Sequence, residues 1–269
     1  MIGAPLPAGA SSAAIARLAT LLEAHTGQGL AASRAWRVDI ALKPLVAECG
    51  LRTIDQLVAR LDAGKDAAIG ERIVDALLNQ ETSFFRDPGT IEGLVAALAE
   101  NGVMRPRLWS AGCATGQEPL SLAMALAGQD RAGEIVATDV SGGAIARARA
   151  GRYTRFEIQR GLPVRQMLHW FVESGVNWVA RPELLAQISY RRHNLVDDPP
   201  PAGRFDAVLC RNVLLYLSPA LRARVLDRLA AALRPGGLLV LGAGETVSGQ
   251  SRHFTPSARS RGFYTRDSG

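Results

Sequence analysis

Between residues 12 and 75 the apolar positions recur at helical spacing. Leu18, Leu21 and Leu22 form one stripe, Leu42, Leu45 and Val46 a second, and Leu57, Val58 and Leu61 a third. Glycines at 27, 50, 64 and 70 punctuate these segments, and no strand pattern intervenes. Three or four short helices are expected here. From about residue 105 the pattern changes. RPRLWSAG, GEIVATDVS, the start of FDAVLCRNVLLYL, and LLVLGAG are compact apolar runs with strand character. QEPLSLAMALAG, SGGAIARARAG (with Ser141 as N-cap) and PALRARVLDRLAAALRPGG are helical, and GFYTR forms a last strand. Strands alternating with helices predict a largely parallel, doubly wound α/β sheet. The stretch MLHWFVESGVNWVARPELLAQISYRRHNL breaks the alternation and predicts a small antiparallel insertion, about 167–192, around the turn ESGVN.

With 269 residues, 48% hydrophobic and 21% charged, the chain can bury a sizeable core. Its apolar runs, such as LVAALA, are too short to span a membrane, so no membrane insertion is expected. MIGAPLPAGASSAA lacks a positive region followed by an apolar one, and residues 1–11 are expected to be a disordered leader rather than a secretory signal. Cys49, Cys113 and Cys210 are too scattered for a disulfide framework or zinc site and fit a reducing cytoplasm. The four histidines show no ligand spacing, so no metal is expected. Net charge is +6, and residues 1–75 balance eight basic against eight acidic side chains. The excess lies downstream, partly in Arg147, Arg149, Arg152, Arg155 and Arg160. These make either a solvated basic face or a surface for an acidic partner.

Ligands of doubly wound sheets bind at the carboxyl ends of the strands. There the strand 107–111 runs into Gly112-Cys113-Ala114-Thr115-Gly116, whose glycines let backbone approach a ligand closely. The turn lacks the second glycine of GxGxxG and the lysine of a P-loop, so neither a dinucleotide nor a triphosphate is indicated. Asp139 closes the next strand, where a carboxylate can accept both ribose hydroxyls. A nucleoside without polyphosphate fits, and S-adenosylmethionine is the commonest such cofactor on this fold. Glu118, in the first turn of the following helix, either faces the cofactor's cationic end or is a favourable N-terminal acid.

NQETSFFRDP, LWSAGCATGQEPLSLAM, IVATDVS, HNLVD, FDAVLCRNVLLYL and LRPGGLLVLGAGET occur in this order. Over residues 12–266 the set resembles the CheR-type chemotaxis-receptor methyltransferases, protein-glutamate O-methyltransferases. The resemblance implies a helical N-terminal domain (12–75), a linker (76–90) and a class I S-adenosylmethionine-dependent methyltransferase domain (91–269), Rossmann-like, carrying the β insertion. It implies that NQETSFFRDP lies over the cofactor, with Gln80 and Thr82 touching it and Arg86 near the transferable methyl and the acceptor carboxylate. Asp139 matches the ribose ligand, Glu118 the acid beside the cofactor, and Asn194 and Leu195 an adenine contact. Gly112 belongs to the cofactor turn, Arg211 and Asn212 end a strand at the reactive pocket, and Tyr216 matches a tyrosine near the methyl. Phe84 and Phe85 are packing residues.

The implied product is a glutamyl methyl ester, with S-adenosylhomocysteine released. A glutamate with a pKa near ~4.3 is already ionised at neutral pH, so no general base is required. The implied partners are the cytoplasmic methylation helices of chemoreceptors. Arg34, Arg37, Lys43 and Arg52 give the helical domain a basic face, diluted by Asp39 and Glu48, and Pro44 is expected to interrupt or start a helix. The compact ESGVN turn argues against dependence on a receptor-tail peptide. A monomer is expected. Competing readings are a class I methyltransferase for RNA or a small molecule, and a cofactor-binding regulatory module without turnover. The absence of interleaved aromatic and basic residues weighs against nucleic acid.

Overall fold

The computed structural model describes residues 9–30, 35–64, 66, 68–258 and 261–267. The chain divides into two compact units, 1–79 and 80–269. The first holds α1 (Ser12–Thr26), α2 (Ala35–Glu48), α3 (Ile54–Asp62) and α4 (Ile69–Leu77). Its core holds the stripes read from the sequence except Leu61, which is only partly buried, and adds Ile69 and Ile73 of α4; Leu18, Leu42, Leu57, Ile69 and Ile73 are fully buried. Each such side chain contributes about 1.5–3 kcal/mol by leaving water. Pro44 lies inside α2 rather than at an end. The helical hydrogen bond it cannot donate would go to the carbonyl of Ile40, an exposed position open to water, while Leu42, Leu45 and Val46 bury the opposite face.

Residues 1–8 of the expected leader, and Arg34, lie outside the described residues. Residues 9–11 are anchored, which corrects the inner end of that leader. Ala10 N donates to Asp39 Oδ1 (3.1 Å), Ser11 N and Oγ donate to Asp55, and Ser11 Oγ accepts from Ala14 N to cap α1.

The second unit runs α5 (Thr90–Glu100), β1 (Arg107–Ala111), α6 (Gln117–Ala127), β2 (Glu134–Asp139), α7 (Gly142–Ala150), β3 (Arg152–Thr154), α8 (Arg155–Gln159), α9 (Val164–Trp170), β4 (Phe171–Ser174), β5 (Asn177–Ala180), α10 (Pro182–Leu185), β6 (Ile188–Arg192), β7 (Phe205–Cys210), α11 (Pro219–Ala232), β8 (Leu233–Leu241), β9 (Phe254–Pro256) and β10 (Phe263–Arg266). The main sheet has the order β6-β2-β1-β7-β8-β10-β9. Its first five strands are parallel, and β10 and β9 are antiparallel. All six residues of β7 are buried, as expected for a central parallel strand covered on both faces. From β1 the chain winds outward to β2 and β6, then crosses to β7 and β8. The order therefore reverses between β1 and β7, and the carboxyl ends of these two strands frame the ligand crevice of such a fold.

The insertion is a three-stranded antiparallel sheet, β3-β5-β4. It differs from the expected 167–192 at both ends. Arg152–Thr154 joins it from outside that range, and Ile188–Arg192 leaves it to become the parallel edge of the main sheet. Ile188 and Tyr190 turn inward while their neighbours face solvent, so this edge strand alternates where the central ones are continuously apolar. The helix before the last parallel strand stops at Ala232. Leu233 already pairs with Phe205, and Arg234–Gly237 bulges out before Leu238 pairs with Ala207.

Candidate functional site

At the carboxyl end of β1 the chain turns through Gly112 and Gly116, both in the left-handed region (φ 85° and 95°). A Cβ on Gly112 would lie 2.4 Å from Val213 Cγ2, and one on Gly116 would lie 2.9 Å from Ala148 Cβ, so both positions exclude a side chain. Gly112 N and Cys113 N donate to the carbonyl of Thr138 (2.8 and 2.9 Å), which draws the turn against the end of β2. There Asp139 Oδ2 accepts from Ala114 N (2.8 Å) and Oδ1 from Ser141 N (2.9 Å). Ser141, fully buried, caps α7 through Ala144 N and accepts from Gln80 Nε2 (3.2 Å). One chain of hydrogen bonds thus links Gln80, Asp139 and the Gly112 turn. Beneath it, Tyr153 O–H donates to the Thr115 carbonyl (2.8 Å), and burial pushes the Cys113 thiol well above its usual pKa, helped by the charges of Asp139 and Glu118.

The segment 80–88 is packed into the second unit. Phe84 is fully buried, edge-on to Tyr153 and Phe171 at 5.1 and 5.6 Å between ring centroids. Its N–H donates to the Arg160 carbonyl (3.1 Å), and a Cβ on Gly161 would fall 2.0 Å from its own carbonyl oxygen. Phe85 N donates to Ser121 Oγ (3.0 Å). Phe85 and Asp87 both carry positive φ (44° and 56°), a strained alternation on either side of Arg86. Thr82 is half-buried. The Arg86 guanidinium, 31% exposed, meets Glu81 twice: Nη2 at 3.1 Å from the carboxylate and Nη1 at 3.2 Å from the backbone carbonyl.

Arg211 ties this segment to the strand ends. Its side chain is 3% exposed. Nη2 donates to the Arg86 carbonyl and to Asp87 Oδ2 (both 2.7 Å), and Nη1 to Glu118 Oε2 (3.1 Å). Glu118 Oε1 accepts from Ser110 Oγ (2.7 Å). Glu118 is therefore more than an N-terminal helix acid: its charge is shared with Arg211 beneath the crevice. Asn212 follows with φ 59°, and Glu245 organises the turn beyond it. That carboxylate accepts from Asn212 N (2.7 Å), Gly242 N (2.8 Å) and Leu215 N (3.3 Å). Tyr216, half-buried, ends the 3-10 turn Leu214–Tyr216. Arg86 and Tyr216 thus lie on two segments joined through Arg211.

Asn194 organises the turn after β6. Its side-chain oxygen accepts from Val196 N and its amide donates to Asp197 (both 2.9 Å), closing the turn after β6. Leu195, partly buried, packs against the hydrophobic cluster that includes Trp109, Val196 and Val225. His193 N donates to the Asp139 carbonyl (2.9 Å), which fixes this turn beside Asp139.

The donor set fits a nucleoside cofactor. A carboxylate oriented by two backbone N–H groups stands beside a glycine turn that carries no cation, as a ribose diol needs and a polyphosphate does not. At the same edge Asn212 Oδ1 is buried without a partner among the described residues, an acceptor suited to an ammonium or hydroxyl. Sequence reasoning missed Glu81 and Glu245. Glu245 had a signal, an acid four residues past the end of a buried strand, whereas Glu81 reads as an ordinary surface charge.

Residues 80–263 match the family described as CheR methyltransferase, SAM binding domain. Chemotaxis protein methyltransferase 1 of Pseudomonas aeruginosa is 35% identical over 247 residues, 87% of this chain and 90% of that one. The chemotaxis protein methyltransferase of Vibrio parahaemolyticus is 34% identical over 87% of this chain and 89% of its own. A solved magnesium protoporphyrin IX methyltransferase from Synechocystis with bound SAM is similar over 66% of this chain and 75% of that one, with 17% identity and a TM-score of 0.39.

Proposed function

This chain belongs to the CheR methyltransferase family, and we propose that it methylates glutamate carboxylates on the cytoplasmic methylation helices of chemoreceptors. The observation that carries the reading is the Arg211 network, which ties the Arg86 segment to the carboxyl ends of the strands at the switch point. S-adenosylmethionine, when bound, supplies a methyl carbon made electrophilic by its sulfonium. Asp139 and the Gly112 turn would hold its ribose side, Leu195 and the turn closed by Asn194 its base, and Gln80, Thr82, Glu118, Arg211 and Asn212 the remainder.

The acceptor arrives ionised, so no protein base has to act. Arg86 orients one acceptor oxygen through charge-assisted hydrogen bonds and leaves the other free to attack. Tyr216 shapes the opposite wall. Alignment of this kind can supply roughly 7–11 kcal/mol in favourable cases, provided water is displaced from the carboxylate. The acceptor oxygen gains a methyl group, giving an ester and S-adenosylhomocysteine, and no proton moves.

The receptor helices dock on the helical unit through Arg37, Lys43 and Arg52. Of the acids that dilute this face, Glu48 is neutralised by Arg72, whereas Asp39 accepts from the neutral Ala10 N and keeps its charge. Among the described residues no helix is long and apolar enough to cross a membrane, and we place the enzyme in the cytoplasm as a monomer. Incubation with methyl-labelled cofactor and a chemoreceptor cytoplasmic fragment tests the assignment. Label released as methanol by mild alkali is the expected result. Alkali-stable label on RNA, or cofactor binding without transfer, would refute it.

A further inference from the structure

Glu81 stands between two guanidinium groups. Its Oε2 and its own carbonyl oxygen hold Arg86, while Oε1 pairs with Arg160. The three side chains are between 31% and 44% exposed, so the row lies at the surface rather than in the core. The backbone beneath them is fixed. Phe84 N donates to the Arg160 carbonyl, and Gly161 admits no Cβ against the Phe84 carbonyl, so the spacing of 81, 86 and 160 is set by main chain.

A guanidinium has five N–H donors, and Arg86 commits one Nη1 and one Nη2 donor to Glu81. The remaining donors can face an incoming carboxylate. A free arginine beside the acceptor would bind it too well, because a carboxylate held on both oxygens is a poor nucleophile. We propose that Glu81 is a positioning residue that presents Arg86 in one orientation and balances part of its charge, so that the acceptor is oriented without being over-stabilised. Arg160 holds Glu81 from the far side and keeps it from following the acceptor. The inference rests on the reading above, in which Arg86 meets the acceptor carboxylate.

The test compares Glu81→Gln, Glu81→Ala, Arg86→Ala and the Glu81→Ala/Arg86→Ala pair in the full chain. It measures kcat and KM for a chemoreceptor cytoplasmic fragment, and Kd for S-adenosylhomocysteine by calorimetry. Glu81→Gln keeps an oxygen for Arg86 and removes the charge, so KM for the receptor falls about threefold as ground-state binding tightens, and kcat falls with it. Glu81→Ala frees the guanidinium and lowers kcat about tenfold, with Kd for the product cofactor unchanged. The double variant is no slower than Arg86→Ala alone, because Glu81 acts only through Arg86. Additive losses, or cofactor affinity that falls with kcat, would overturn the proposal. Wild-type kinetics in both Glu81 variants with a slow Arg86→Ala enzyme would overturn this inference alone. Wild-type transfer by Arg86→Ala would overturn the parent reading of Arg86 as well.

Discussion

Replacing Arg211 with methionine should be among the most damaging single changes in the second unit, and its cost can be worked from the contacts. The guanidinium is 3% exposed, and its partner Glu118 is 14% exposed. Removing one member of so buried a pair leaves an uncompensated charge, worth about 3–5 kcal/mol. The contact to Asp87, whose side chain is 44% exposed, adds little, in the range of about 0–1 kcal/mol. The bond to the Arg86 carbonyl is part of the same disrupted network rather than a separate sum. At about 2–4 °C per kcal/mol for a unit of this size, the midpoint of thermal unfolding should fall by roughly 6–20 °C. Glu118→Gln should cost less, since a neutral amide can still accept from Ser110 or Arg211. The double variant Arg211→Met/Glu118→Gln should recover part of the loss. Urea unfolding of the four proteins at pH 7 supplies the cycle. A single-variant cost below about 1 kcal/mol, or strictly additive losses, would refute the claim that this pair is a buried, coupled anchor.

Gly161→Ala should destabilise the protein by at least about 1–3 kcal/mol and loosen the Arg86 segment, since its φ of 85° disfavours any Cβ and that Cβ would sit 2.0 Å from the Phe84 carbonyl; denaturant midpoints check this. The Glu157 carboxyl is held below its ordinary value; burial opposes this and is outweighed by the Thr154 backbone N–H, the Thr154 hydroxyl and Arg147. Its stabilisation is therefore present above that value and lost as pH falls through the lower folded pKa, so the stability gap between wild type and Glu157→Gln should shrink as urea unfolding is measured from pH 6 down to pH 3. Cys113 and Cys210 are buried, with thiols pushed up by burial and nearby carboxylates, while Cys49 is partly exposed. A thiol reagent at pH 8 should modify Cys49 in the native protein and reach the other two only after unfolding.

The central strands were legible because burial on both faces writes them as unbroken apolar runs. VLC of β7 and IVAT of β2 can hardly be anything else beside glycine turns. Short edge strands carry no such mark: β3 has three residues with only Tyr153 buried, and β6 alternates like a hairpin strand. The positions of Asp139 and the Gly112 turn were legible because each directly ends or follows a buried strand. The Arg211 anchor was not, since its partners lie 93 and 124 residues away and no local periodicity records a contact of that range. Pro44 misled for a local reason, because helix propensity does not register the burial of Leu42 and Leu45 that outweighs the lost bond.

The proposed role of Arg86 is to act on the acceptor rather than on the cofactor. Single-turnover methyl transfer to a chemoreceptor fragment, measured beside the calorimetric Kd for S-adenosylhomocysteine in wild type and Arg86→Ala, tests this directly. The predicted result is transfer slowed by about a hundredfold or more with cofactor affinity changed only a few-fold. Equal losses in the two quantities would contradict it and leave Arg86 as a support for the cofactor pocket.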